Sequence, residues 1–322
     1  MTEFAEPTLA DVYAAQCRIA PHLAPTPLHR YSALDDYLGC AAFVKHENYQ
    51  PVGAFKVRGG VNLACMLTAD EKSRGLISAS TGNHRQSVAF GARLAGTRAY
   101  VVVPQGANPG KVAAIRGLGA EVIFHGEKFE QAFAHAEHLA RQQGLRFVHS
   151  ANEPHLIAGV GTATLEILEA QPQIDTLIVP VGLGSGACGA AIVAKAMNPA
   201  IRLIAVQAAA APAVYESWRS GRIESRPNLT FAEGLSTGRA AALTLSILRA
   251  HLDDFVLVDE DDIARGMAGW IEHAHTLAES ASGAVLAAAH RLRDQLRGRN
   301  VALMLSGGNT SLEHLRRALA AQ

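Results

Sequence analysis

A lysine placed where a strand turns into a helix can do covalent chemistry. Lys56 stands in HENYQPVGAFKVRGG, residues 46–60, where Pro51 and Gly53 turn the chain and Phe55, Lys56 and Val57 lead into a helix. Partial desolvation at such a turn lowers the pKa of an amine and frees it for imine formation. An arbitrary lysine is a solvated surface group, so the whole string carries the case. A second candidate, Ser80-Thr81-Gly82-Asn83-His84, closes one apolar run and opens a helix. A glycine turn at a helix N-terminus presents backbone N–H groups that can hold an anion. By itself the same loop reads equally well as an ordinary capped turn.

Two further glycine turns end apolar runs. In VPVGLGSGACG, residues 179–189, Gly184 to Gly189 match the dinucleotide pattern G-x-G-x-x-G. That pattern wants an acid at the end of the next strand, to hold a ribose. The next strand, RLIAVQ, ends at Gln207 and alanines follow, so the dinucleotide reading fails. In MLSGGNTS, residues 304–311, Ser306 sits at a strand end before a Gly-Gly turn. His135 and His138, spaced by three on an expected helix, read as a wet helical face, with no third metal ligand in view. No H-E-x-x-H, G-x-S-x-G or Walker pattern is present.

The elements that must carry these turns alternate. Short apolar runs at 41–45, 75–80, 99–103, 121–124, 146–149, 176–181, 202–207, 255–258 and 300–305 read as strands buried on both faces. Amphipathic stretches at 84–95, 109–117, 129–143, 159–170, 187–197, 261–276, 283–296 and 310–320 read as helices. Strand, helix, strand in repetition predicts an α/β fold with open parallel sheets in two domains. The block 75–152 is expected as a small βαβ domain inserted in a larger one made of 1–74 and 153–322. No appended regulatory domain is expected after the last strand–helix unit.

Charge and composition narrow the partners. Of 322 residues, 29 are Lys or Arg and 29 are Asp or Glu, so the formal charge is zero and no basic stripe suggests nucleic acid or an anionic membrane. The start, MTEFAEPTLADVY, has early acids and no apolar core, unlike a secretory signal. Cys17, Cys40, Cys65 and Cys188 are widely spaced, which favours a reducing compartment and a cytoplasmic location.

The strings around these turns resemble the fold-type II pyridoxal-phosphate enzymes, and among them the serine/threonine dehydratases. That family's pattern, E-x-x-Q-P-x-G-S-F-K-x-R-G, is met at Glu47, Gln50, Pro51, Gly53, Phe55, Lys56, Arg58 and Gly59. The resemblance runs from PTPLHRYSAL (25–34) to the final SGGN, and implies a fold like the tryptophan synthase β subunit. It implies that Lys56 holds pyridoxal 5′-phosphate as a Schiff base, with Phe55 beside it. The loop Ser80, Thr81, Gly82, Asn83 and His84 would grip the substrate carboxylate, with Asn83 facing the 3′-oxygen of the cofactor. Gly182, Leu183, Gly184, Ser185 and Gly186 would form the phosphate cup, and Ser306 would face the pyridine nitrogen. A neutral hydroxyl there makes a weaker electron sink than a carboxylate.

The implied activity is elimination of the hydroxyl from a β-hydroxy amino acid such as L-threonine or L-serine, giving a 2-oxo acid and ammonia. Thr81 occupies the position of a second acid/base in related racemases, so racemisation is an alternative. A hydroxyectoine-derived amino acid as substrate is another, because VKHEN, GAFKVRGG and ASTGNH look like that dehydratase branch. A pyridoxal-phosphate-binding protein without catalysis is a third. Glu233, in FAEGLSTG (231–238), matches a segment that in some members binds a monovalent or divalent cation. A homodimer or higher homo-oligomer is common in the family. The chain departs from the pattern at Ala54, where serine is usual, at the two non-glycines of the cup, and at Arg85, where a small residue is usual. Arg85 conflicts with the pattern, points to solvent, or meets an acidic group of an unusual substrate.

Overall fold

A computed structural model describes residues 5–80 and 82–321. The chain opens on α1 (Leu9–Ile19), started by a reciprocal pair: Thr8 Oγ1 accepts from the Asp11 amide, and the Asp11 carboxylate accepts from the Thr8 amide. Then come β1 (Leu28–Arg30), α2 (Ser32–Leu38), β2 (Ala41–His46), α3 (Lys56–Met66) and α4 (Ala69–Arg74). The middle of the chain runs β3 (Leu76–Ala79), α5 (Asn83–Ala95), β4 (Ala99–Val103), α6 (Pro109–Gly117), β5 (Glu121–Phe124), α7 (Phe129–Gln143) and β6 (Arg146–Phe147). It continues through α8 (Pro154–Ala170), β7 (Thr176–Pro180), α9 (Ser185–Met197), β8 (Arg202–Ala208), α10 (Ala213–Ser220), α11 (Ala242–His251) and β9 (Asp254–Val258). The last elements are α12 (Glu260–Ala274), α13 (Ser280–Arg291), α14 (Arg293–Leu296), β10 (Asn300–Leu305) and α15 (Leu312–Ala320).

Among the described residues the strands make two sheets, one of six in the order β1-β2-β10-β7-β8-β9 and one of four in the order β5-β4-β3-β6. Every pairing is parallel except β1 with β2. The fold is therefore the expected α/β arrangement of parallel sheets. Parallel neighbours need crossovers, and the crossover helices cover both faces. The pleat sorts the larger sheet's side chains accordingly. Leu177, Val179, Leu203 and Ala205 pack with Ile157, Leu165 and Val193, whereas Ile178, Ile204 and Val206 pack with Leu34, Trp270 and Val285. In the smaller sheet Val101 and Val103 face Val88 and Ile115, while Ile77 and Val102 face Ala132, Ala136 and Ala140 of α7, spaced by four. No described helix is long and apolar enough to cross a membrane.

Some elements differ from their sequence signal. β1 and the helices α1, α2, α4, α10 and α11 were not expected, and β1 is a three-residue edge strand, Leu-His-Arg, too short and polar to show an alternation. β6 keeps two of four expected residues. α8 starts five residues earlier than its apolar period suggests, because Pro154 takes the first helical position and Glu153 Oε1 accepts from the His155 amide. The stretch 283–296 starts earlier, at Ser280, and is interrupted at Leu292, giving α13 and α14.

The topology gathers the motifs. β2, β10 and β7 are neighbours, so their carboxyl ends place 46–60, 306–309 and 181–186 side by side. The fourth motif follows β3 in the other sheet and is brought across by a close helix crossing. Gly91 of α5 lies so near α3 that a Cβ there would stand 2.4 Å from the Gly60 carbonyl oxygen. One turn away, Ser87 Oγ donates to the Lys56 carbonyl at 2.5 Å, tying α5 to the lysine itself.

Candidate active site

Lys56 is positioned by the loop before it. The Phe55 amide donates to the Ser306 carbonyl at 3.0 Å and the Gly308 amide to the Gly53 carbonyl at 2.9 Å, so the lysine loop pairs with the end of β10. Gly53 has φ 69°, and a Cβ there would meet Asn309 Oδ1 at 2.6 Å. Only glycine satisfies both conditions. Beneath the loop, the Arg58 guanidinium grips Glu47 through Nε and Nη2, both at 2.8 Å, and Glu166 through Nη1 at 2.6 Å and Nη2 at 2.8 Å. Lys45 Nζ donates to Glu166, and Thr26 Oγ1 donates to Glu47 at 2.6 Å. Burial works against the Glu47 carboxylate, but Arg58 overcomes it and holds its pKa below the usual range. Two cations and two anions thus cancel, and all but Glu166 are almost fully buried. The motif residues Glu47 and Arg58 are structural, fixing α3 at the residues that flank Lys56.

The Lys56 amine donates to Ser185 Oγ at 2.5 Å and lies 5.2 Å from the Phe55 ring centroid. Burial lowers its pKa to about 8, partly countered by Cys188 and Glu279 nearby. Ser185 is the first residue of α9, and its N-cap, Gly184, has φ 97°. No side chain caps that end, so the first amides of α9 remain available to an anion. The cup residues pack closely. A Cβ on Gly182 would stand 2.4 Å from the Gly234 carbonyl oxygen, and one on Gly186 would stand 2.8 Å from the Phe55 ring. Leu183 is held by its carbonyl, which accepts from Thr244 Oγ1 at 2.7 Å. The two non-glycines are thus built into the turn: Ser185 meets the lysine and Leu183 is tied to α11.

Asn83, Glu279 and Ser306 form one chain of hydrogen bonds. Asn83 Nδ2 donates to Glu279 Oε2 at 2.8 Å, and Ser306 Oγ donates to Glu279 Oε1 at 2.9 Å. Ser282 Oγ lies 3.1 Å from Ser306 Oγ, and Asn309 Nδ2 donates to Asn83 Oδ1 at 2.9 Å. Burial raises the Glu279 pKa, while the bonds from Asn83 and Ser306 oppose the shift. Neither Glu279 nor Asn309 was a candidate from sequence. Glu279 precedes α13 as an acid at an N-cap, an unremarkable place for one, and Asn309 sat unremarked in the SGGN string.

Gly82 is the N-cap of α5, and its amide donates to Ser80 Oγ at 3.1 Å. Thr81 lies outside the described residues. The His84 ring is buried with its Nε2 3.0 Å from the Val148 carbonyl, and burial drives its pKa to about 3. The ring is neutral and, with a carbonyl as partner, Nε2 carries the proton. His84 therefore offers the site its backbone at the α5 N-terminus, and its ring is engaged elsewhere. A cavity of about 170 Å³ opens beside this terminus, lined among others by Asn83, Arg85, Lys111, Glu233, Glu279 and Asn309. The Glu233 carboxylate accepts from Lys111 Nζ. Among the described residues no group of three or more His, Cys, Asp and Glu is placed to hold a metal ion. In this structure the Glu233 charge is matched by the Lys111 ammonium.

A desolvated lysine facing an uncapped, glycine-bearing helix N-terminus matches what a phosphate-bearing aldehyde cofactor needs. The family model described as pyridoxal-phosphate dependent enzyme matches residues 19–307. The chain belongs to this family. Its cofactor is pyridoxal 5′-phosphate, and the residues present fit that group: an amine for the aldehyde, free amides for the phosphate and a hydroxyl at the end of β10. Among this family member's relatives, the L-threonine ammonia-lyase of Thermotoga maritima is 36% identical over 315 residues, 97% of this chain and 78% of that protein. The biosynthetic L-threonine dehydratase of Salmonella typhimurium is 37% identical over 294 residues, 90% of this chain and 57% of that protein. In three dimensions maize serine racemase superposes with a TM-score of 0.92 at 31% identity, covering 98% of each chain.

Proposed function

We propose that this enzyme removes water and ammonia from a β-hydroxy amino acid, with L-threonine and L-serine as substrates and 2-oxo acids as products. The observation that carries the reading is the Lys56 amine, at a pKa of about 8, set against Ser185 at the α9 N-terminus. The L-threonine ammonia-lyase and dehydratase relatives support it.

In this reading Lys56 would hold the cofactor, the turn 182–186 would receive its phosphate, and Asn83 and Ser306 would be the polar groups offered to its ring. When bound, the cofactor supplies the conjugation that makes the α-hydrogen of the amino acid acidic. The α5 terminus, with Ser80, Gly82 and the Asn83 and His84 amides, orients the substrate carboxylate. Lys56 Nζ takes the α-proton, and a pKa near 8 leaves a usable neutral fraction of the amine at neutral pH. Glu279 accepts from Ser306, which fixes the orientation of the hydroxyl at the end of β10. The reading includes 75–152 as a small domain between 1–74 and 153–322. It also includes a cytoplasmic location, consistent with four free cysteines, and a homo-oligomer, which sedimentation would measure.

The test is 2-oxo acid formation from L-threonine and from L-serine by the loaded enzyme, beside Lys56→Ala. Oxo acid from the wild type and a loss of at least about a thousandfold in the variant are expected. A loaded protein inert to both would shift the reading to a specialised substrate such as a hydroxyectoine-derived amino acid. Net formation of D-amino acid would shift it to racemisation.

A further inference from the structure

Arg85 stands in the third position of α5, only 2% exposed, and lines the cavity beside the substrate loop together with Lys111. Among the described residues its Nε has no hydrogen-bond partner, and its Nη1 makes one long contact, 3.5 Å, to the Ser80 carbonyl. A buried guanidinium without a carboxylate partner is heavily penalised, and proteins keep buried charges paired. Burial lowers its pKa only to about 10, so it remains charged at neutral pH. Of the carboxylates that share the cavity, Glu233 lies near enough to favour the charged guanidinium but is bonded to Lys111, and Glu279 is bonded to Asn83 and Ser306. Among the described residues, therefore, no carboxylate is hydrogen-bonded to this guanidinium, and most of its five N–H donors are left for a ligand.

We infer that Arg85 receives an anionic group on the substrate's side chain, so that the preferred substrate is a β-hydroxy amino acid carrying a second carboxylate. The inference rests on the elimination reading of the same site. The α-carboxylate is taken by the α5 amides, and a side-chain carboxylate is left for Arg85, which can bind it in a two-point fork. The simplest such molecule is 3-hydroxyaspartate. Its α C–H and β C–O bonds break, the α-proton and the hydroxyl leave as water, and hydrolysis then replaces the C–N bond. One dicarboxylic amino acid gives one 2-oxo dicarboxylic acid and one ammonia, with no external oxidant or reductant.

The experiment compares kcat/KM of the holoenzyme for 3-hydroxyaspartate, both diastereomers, and for L-threonine, in the wild type, Arg85→Gln and Arg85→Lys. The wild type is expected to prefer 3-hydroxyaspartate. Arg85→Gln is expected to lower the ratio of the two kcat/KM values by roughly 100-fold or more, chiefly through KM, with Arg85→Lys in between. Succinate is expected to compete with threonine in the wild type, a measurement that does not depend on how well the variants fold. A ratio unchanged in Arg85→Gln, or wild-type threonine turnover that succinate leaves untouched, overturns the inference and leaves the elimination reading in place. A loaded wild type that makes oxo acid from neither substrate overturns the elimination reading, and the inference falls with it.

Discussion

At Lys56, two effects compete over the amine. Burial favours the neutral form, and the nearby Cys188 and Glu279 favour the charged one; burial wins and the pKa falls from 10.5 to about 8. Because the group is a base with a lowered pKa, its nucleophilic form is the majority above about pH 8 and a shrinking minority below it. The rate at which cofactor-free protein takes up pyridoxal phosphate is therefore expected to rise about tenfold per pH unit below 8 and to level off above it. Stopped-flow absorbance at a series of pH values measures this. A rate still climbing steeply at pH 10 would mean an amine with the pKa of a solvated lysine, and would contradict the buried placement. Lys56 itself was legible in the sequence because its neighbours are demanding: Gly53 for its backbone angle, Glu47 and Arg58 for each other. Glu279 was not legible, since nothing near it in the chain marks it; its role comes from Asn83 and Ser306, 196 and 27 residues away.

The elements that carry the site are held by polar pairing as well as by apolar packing. The Glu47–Arg58–Glu166–Lys45 group joins β2, α3 and α8 beneath the lysine. Removing one member leaves uncompensated buried charge, which is far costlier than the intact group is favourable. Arg58→Met is thus expected to destabilise the protein by about 3–5 kcal/mol. Urea unfolding followed by circular dichroism would show it; a change under about 1 kcal/mol would mean that the network is solvated. At this scale the sequence was informative wherever burial on both faces produced a continuous apolar run, as in β4, β7, β8 and β10. It was silent for β1, whose largely exposed Leu-His-Arg has no such pattern, and for α2 and α4, which are too short to show a period. The boundary at Leu292 was invisible because the apolar period of 283–296 continues across it.

At the scale of the molecule, the site lies where two parallel sheets present their strand ends to each other. Three motifs come from adjacent strands of the larger sheet, and the fourth crosses from the smaller sheet on α5, locked to α3 at Gly60 and Gly91. That convergence follows from topology, so four glycine turns far apart in the chain could be grouped from sequence only through the family pattern they resemble. The cavity, and Arg85 in its wall, could not be read that way, because both depend on how α5 and α6 meet the distant residues Glu233, Glu279 and Asn309. The central claim is that Lys56 carries the cofactor. It is tested most directly by loading the protein with pyridoxal phosphate, reducing it with borohydride and mapping the modified peptide by mass spectrometry. The phosphopyridoxyl mass is expected on Lys56. Its appearance on Lys45, Lys111 or another lysine, or its absence from every peptide, would contradict the account.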